Sequence, residues 1–171
     1  MKTYYIFRHG LATHSTTGYG DAIVNAHILP EGKAAIERMA EYLKVIPTDY
    51  NVTSEFIRCK ETADIITKYT GKTFVSDARL NEYSAEENYN HETFEAFRQR
   101  LLMFLLDMEQ DQSKQTILVC THGAAIAGLK HILTEGRFTT DVRFDFPLPG
   151  VLLIVKPDAT IEEMDFNVEK R

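Results

Sequence analysis

The sequence predicts an α/β protein: a three-layer sandwich with a mainly parallel central sheet, an antiparallel edge and helices on both faces. Three observations carry this expectation. Short β-rich runs alternate with segments of helical periodicity, as βαβ units require. One run, Ile117-Leu118-Val119-Cys120, is apolar without alternation, the pattern of a strand covered on both faces. Near the C-terminus two strand-like runs flank a tight turn, which adds an antiparallel edge. The 171 residues suit one domain, 1–171. A chain of this size buries roughly 70% of its unfolded surface and needs no disulfide or metal to fold.

Tyr4–Phe7 is the first strand. Pro30–Lys44 reads as a helix, with Pro30 suited to the first helical position and Ile36, Met39, Ala40 and Leu43 on one face. Asn51–Thr53 is a short strand. Phe56–Tyr69 is helical, with Ile57, Ile65, Ile66 and Tyr69 apolar and Gly71 as the stop. Thr73–Val75 is a further short strand. Thr93–Met108 is the most regular helix, its stripe of Phe94, Phe97, Leu101, Phe104, Leu105 and Met108 reading as core. Thr116–Cys120 is a strand and Ala124–Leu133 a helix. Val151–Lys156 and Thr160–Phe166 form the closing pair around Pro157-Asp158-Ala159.

Composition narrows the function. Lys and Arg total 19 against 25 Asp and Glu, a formal charge of −6. A nucleic-acid partner held through a broad basic face is therefore not expected, although a local basic pocket can still take an anion. No apolar run reaches the ~18 residues of a membrane span. The apolar stretch before Arg8 is too short for the core of a signal peptide, so a cytoplasmic location is expected. Cys59 and Cys120 are too few for a disulfide framework, and Cys120 reads as a buried thiol.

In open α/β sheets ligands bind beyond the carboxyl ends of the strands. The first strand is followed by Arg8, His9 and Gly10. The second leads to Ser54, Glu55, Phe56, Ile57 and Arg58, the third to Arg79, Leu80, Asn81 and Glu82, and the fourth to Thr121, His122 and Gly123. Topology alone gathers arginines, two histidines and a carboxylate at one edge. Each histidine precedes a glycine that lets the backbone turn and approach a ligand closely.

These segments resemble the histidine phosphatase superfamily, which includes the cofactor-dependent phosphoglycerate mutases. Phe7-Arg8-His9-Gly10 looks like its signature. Ser54–Ala63 is similar to the segment that carries its second phosphate-binding arginine, Thr93–Arg100 to its central helix, and Ile117–Gly123 to its second histidine segment. The resemblance implies that His9 is a nucleophile forming a phosphohistidine. It implies that Arg8 and Arg58 hold the phosphoryl oxygens, since a guanidinium fork matches an oxyanion, with Gly123 beside them. His122 stabilises the transferring group. Glu82 stands at the position of the usual general acid, and burial near the phosphate is expected to keep a proton on it. Glu86 and Glu87 are competitors, and a solvated loop carboxylate is the plainer reading of Glu82.

The chain also departs from the pattern. Leu11-Ala12-Thr13-His14-Ser15 replaces the usual residues after the first histidine. Ser15 stands about where a phosphate-contacting asparagine is found, so Ser15 or His14 takes its place, or both are plain loop. This stretch looks more like the small phosphohistidine phosphatases, whereas Leu80-Asn81-Glu82 and the Thr93 helix look more like the mutase and broad phosphatase branch.

No cofactor and no metal are expected, because His27, His91 and His131 form no zinc-ligand spacing. The expected activity is a metal-independent phosphatase acting on a phosphorylated small molecule or phosphoprotein. Mutase-type transfer and a non-catalytic phospho-ligand module are the alternatives. Between Arg8 and His122 there is little room for the lid segments of a mutase. Ser84–His91 and Gly136–Asp145 are the candidate specificity segments. Oligomeric state is not legible.

Overall fold

The computed structural model describes residues 2–13, 22–84, 91–142 and 144–168. In chain order the elements are β1 (Thr3–Arg8), α1 (Ala22–Asn25), α2 (Lys33–Leu43), β2 (Tyr50–Thr53), α3 (Ile57–Thr70), β3 (Val75–Ser76), α4 (Phe94–Gln110), β4 (Thr116–Thr121), α5 (Gly123–Glu135), β5 (Val151–Val155) and β6 (Ile161–Asp165). Short 3₁₀ turns occupy Pro30–Gly32 and Ala78–Leu80.

The six strands form one sheet in the order β3-β2-β4-β1-β5-β6. β1, β2, β3 and β4 are parallel, while β5 runs antiparallel to β1 and β6 antiparallel to β5. β4 lies between β1 and β2, which explains its uninterrupted apolar run. One core places Ile36, Met39 and Leu43 of α2 with Cys59 and Ile66 of α3 against Phe7, Leu118 and Leu152. The opposite core sets Phe97, Leu101 and Phe104 of α4 with Ile126 and Leu129 of α5 against Ile6, Val119 and Leu153. Alternate residues of each strand thus feed alternate faces, and the expected sandwich is present.

Element ends differ in instructive ways. The expected helix from Pro30 begins as a 3₁₀ turn, and Lys33 is its first α-helical residue. Gly32 is needed there, because a Cβ would stand 2.8 Å from the Leu11 backbone nitrogen. Thr93 is the N-cap of α4 rather than its first turn, its hydroxyl accepting from the Ala96 N–H at 3.1 Å. α3 stops at Gly71 with φ 78°, the left-handed cap expected of it. β3 comprises just Val75–Ser76, both exposed at the sheet edge. Cys59 and Cys120 are buried free thiols. Burial, and then the neighbouring Cys59, push the Cys120 thiol well above its ordinary range.

Register positions the site. Phe7 and Thr53 both pair with Cys120, and Arg8 pairs with Thr121. His9 and His122 therefore leave the sheet at one level, and Ser54 one residue before it.

Candidate active site

His9 leaves β1 with its N–H donating to the Thr121 carbonyl at 3.0 Å, and its ring is 1% exposed. Its Nδ1 lies 2.8 Å from the Gly10 carbonyl oxygen. A carbonyl can only accept, so Nδ1 carries the proton and the lone pair of the neutral ring sits on Nε2. Arg58 donates to that Nε2 through Nε at 3.2 Å. The Gly10 N–H donates to Thr62 Oγ1 at 2.9 Å, and the Thr62 hydroxyl donates to the Arg58 carbonyl at 2.7 Å. Thr62 thus ties the loop after β1 to the first turn of α3.

Arg58 is fully buried, with its guanidinium 5.3 Å from the centre of the Phe56 ring. Arg8 is half-buried at the end of β1, 5.2 Å from the Phe146 ring centre. His122 is the N-cap residue of α5. Its ring meets His9 edge-on at 5.2 Å between centroids and Phe56 at the same spacing of 5.2 Å. Gly123 earns its place through a packing need not visible in the tripeptide: a Cβ there would lie 2.8 Å from the Phe146 ring.

Glu82 is not a solvated loop carboxylate; it is 8% exposed. Its Oε1 accepts from the N–H groups of Tyr83 at 2.8 Å and Ala125 at 3.2 Å, and its Oε2 accepts from Ala124 at 3.1 Å. The first turn of α5 thereby holds the carboxylate, as a helix N-terminus favours. Arg100 on α4 fastens the loop behind it, donating to the carbonyls of Arg79, Asn81 and Glu82 at 2.8, 2.6 and 3.0 Å and to the Glu92 carboxylate. A cavity of about 480 Å³ opens beside Glu82, lined in part by Glu55, Phe56, Asn81, Ser84 and Arg100.

The structure brings His9, Arg58 and His122 into one cluster, with Arg8 on the adjoining strand end. Ser15, with its competitor His14, lies outside the described residues, as do Glu86, Glu87 and Arg143. Ser84–His91 is described at its ends alone. Within Gly136–Asp145, Phe138 is buried and, with half-buried Phe144, packs among Phe94, Phe97 and Tyr83, while most of the other described residues there are exposed. His27 pairs with Glu61, and His131 with Glu135 and Asp145. His91 is exposed with φ 52°. Among the described residues no three His, Cys, Asp or Glu side chains are grouped to hold a metal ion. No helix among them is long and apolar enough to cross a membrane. Ser54, Thr62, Asn81 and Arg100 carry roles that sequence reasoning missed. Ser54 and Asn81 stand in the strand-end segments already singled out, and that position was the available signal.

An α/β sheet with histidines and arginines beyond its parallel strands is the architecture that the resemblance implied. The chain belongs to the histidine phosphatase superfamily (branch 1), whose family model matches residues 4–91 and 84–155. It is 31% identical over 121 residues to the uncharacterized phosphatase PhoE of Bacillus subtilis (strain 168), a match spanning 61% of this chain and 61% of that protein's length. The alpha-ribazole phosphatase of Shigella flexneri superposes with a TM-score of 0.77 at 16% identity, covering 97% of this chain and 96% of that one. The phosphoglycerate mutase of Bacillus anthracis str. Sterne superposes with a TM-score of 0.70 at 15% identity, covering 97% and 92%. These two structures share the fold.

Proposed function

We propose that the chain is a metal-independent phosphatase that hydrolyses phosphomonoesters or phosphohistidine through a phosphoryl group carried on His9. The observation that supports this most is the proton placement on His9: the Gly10 carbonyl takes the Nδ1 hydrogen and leaves Nε2 as the nucleophile. Arg58 and Arg8 hold the phosphoryl oxygens, His122 adds positive charge to the transferring group, and the backbone at Gly123 borders it. Ser15 remains in the phosphate-binding set on its sequence position alone. In the first step Nε2 bonds to phosphorus, the bond to the leaving group breaks, and the leaving atom takes a proton from Glu82. In the second step water attacks the phosphohistidine, Glu82 takes the water proton, and phosphate leaves. With Oε1 already accepting two N–H groups and Oε2 one, the transferable proton belongs on Oε2. The guanidinium groups supply the charge neutralisation that a metal gives other phosphatases.

A turnover panel with alkyl phosphates, aryl phosphates and phosphohistidine tests this reading. EDTA should leave every rate unchanged. Glu82→Gln should slow alkyl phosphates by ~10²–10⁴-fold, and aryl phosphates or phosphohistidine much less, because those leaving groups need less protonation. Full activity in His9→Ala, or loss in EDTA restored by a divalent ion, would overturn it.

A further inference from the structure

A chain of hydrogen bonds behind His122 determines where that ring carries its proton. Asn81 Oδ1 accepts from the Glu55 backbone N–H at 3.0 Å, and Asn81 Nδ2 faces Glu55 Oε2 at 3.4 Å. The backbone N–H fixes the amide: turned over, it would set an NH₂ against an N–H. Oδ1 is therefore an acceptor, and the Ser54 hydroxyl, 2.9 Å away, donates to it. With its one hydrogen spent, Ser54 Oγ can only accept. It accepts from the Phe56 N–H at 3.2 Å, and its remaining lone pair faces His122 Nε2 at 2.8 Å.

We propose that Ser54 and Asn81 are positioning residues that hold His122 in the Nε2–H tautomer, so that Nδ1 is the nitrogen that takes the second proton when the imidazolium forms. Every member of the chain is constrained. Ser54 and His122 are fully buried, and bulk water does not compete for the hydroxyl. Cys59 donates to the Thr121 carbonyl at 3.5 Å, so its sulfur also presents lone pairs to the ring, 3.4 Å from Nε2 and 4.0 Å from Nδ1. An acceptor on Nε2–H stabilises the cationic ring, the state needed to face a phosphoryl oxyanion. Asn81 also precedes Glu82 directly. One amide therefore links the loop of the proposed acid to the second histidine. The positioning role rests on the reading of His122 as part of the phosphoryl site; the tautomer itself does not.

The test is long-range ¹H–¹⁵N spectroscopy of protein carrying ¹⁵N-labelled histidine, without substrate, with His122 assigned by its loss in His122→Asn. At a pH where the ring is neutral, wild type should show a protonated Nε2 and a pyridine-type Nδ1. Asn81→Ala frees the Ser54 hydrogen to turn toward the ring, and Ser54→Ala removes the acceptor; both should shift His122 toward the Nδ1–H form or a mixture. Asn81→Asp keeps the acceptor for Ser54 and Glu55 and should retain the wild-type tautomer. In steady state, Ser54→Ala should lower kcat on the order of tenfold with a much smaller change in KM. A wild-type spectrum with the proton on Nδ1 overturns the proposal, even if the variants misfold. Unshifted tautomers in folded Ser54→Ala and Asn81→Ala overturn it equally. Failure of the phosphatase reading would show instead as His9-independent turnover.

Discussion

Among the described residues, a buried lysine and a buried arginine sit at opposite ends of the parallel strands. Lys2, just before β1, is 6% exposed, and Arg58, just beyond β2, is fully buried. Lys2 turns its ammonium onto the carbonyl oxygens of Met108 and Asp111 at the C-terminal end of α4. The fold itself answers this charge, since a helix C-terminus carries partial negative charge. Arg58 instead points Nε at the His9 imidazole and lays its guanidinium against Phe56. On the proposed mechanism the first is a cation that braces the protein and the second one that receives an oxyanion. Lys2 stands apart in a second way. The other buried polar side chains, among them His9, Ser54, Arg58, Thr62, Glu82 and His122, gather at the carboxyl ends of the parallel strands. Polar burial is costly unless satisfied, and the protein concentrates that cost at one place.

The contrast can be broken most sharply at Arg58. Arg58→Met keeps similar volume, so thermal stability should hold or rise, since replacing a buried ion by an apolar side chain is often neutral or favourable. Vanadate affinity should nevertheless fall by roughly tenfold to a hundredfold, from about 1.5–3 kcal/mol for a hydrogen bond to a charged group. Arg58→Lys should recover part of it. A large loss of stability with unchanged vanadate binding, measured by urea melts and titration, would make Arg58 a brace like Lys2.

Lys2→Met should give the reverse result. Losing the contacts to the Met108 and Asp111 carbonyls should cost about 1–3 kcal/mol in urea unfolding, with kcat/KM unchanged. A Lys2 variant that loses catalysis before stability would end the distinction.

A smaller effect belongs to the acid limb of stability. The Asp77 carboxyl is held below its ordinary range: burial pushes it up, but hydrogen bonds from the Arg79 side chain and backbone, with the Arg79 charge, outweigh that. A depressed folded value gives stability that is present above the unfolded pKa of about 3.9 and is lost as pH falls through the folded value. Asp77→Asn should therefore destabilise the protein modestly at pH 7 and flatten its loss of stability below about pH 4. An acid limb identical to wild type in paired urea melts would assign that loss to other carboxylates.

The same contrast explains what could be read in advance. The strands show themselves because Tyr4–Phe7 and Ile117–Cys120 are apolar and end abruptly at Arg-His and Thr-His. The α4 stripe announces a core helix, and Thr93 and Gly71 mark helix ends by local chemistry alone. Arg8, His9, Arg58, Glu82 and His122 were legible as a set because topology and family resemblance pointed to the same positions. Ser54, Asn81 and Arg100 were not. Their partners lie across the fold: Ser54 meets Asn81 over 27 positions and His122 over 68. One polar residue in a loop looks like another until packing chooses its partner. Gly123 is the intermediate case. A close approach was readable in the glycine, but its partner Phe146 was not. The cradle of Glu82 at the start of α5 depended on three N–H groups that no side-chain pattern records.

On the proposed mechanism His9 accepts the phosphoryl group through the nitrogen that its backbone contact leaves available. ³¹P spectroscopy of enzyme mixed with substrate and quenched in alkali, where phosphohistidine survives, distinguishes the two ring positions directly. A phosphoryl group should appear on His9 Nε2 and be absent from His9→Ala. Phosphate on Nδ1, or undiminished turnover with no phosphoryl group on His9, would contradict it.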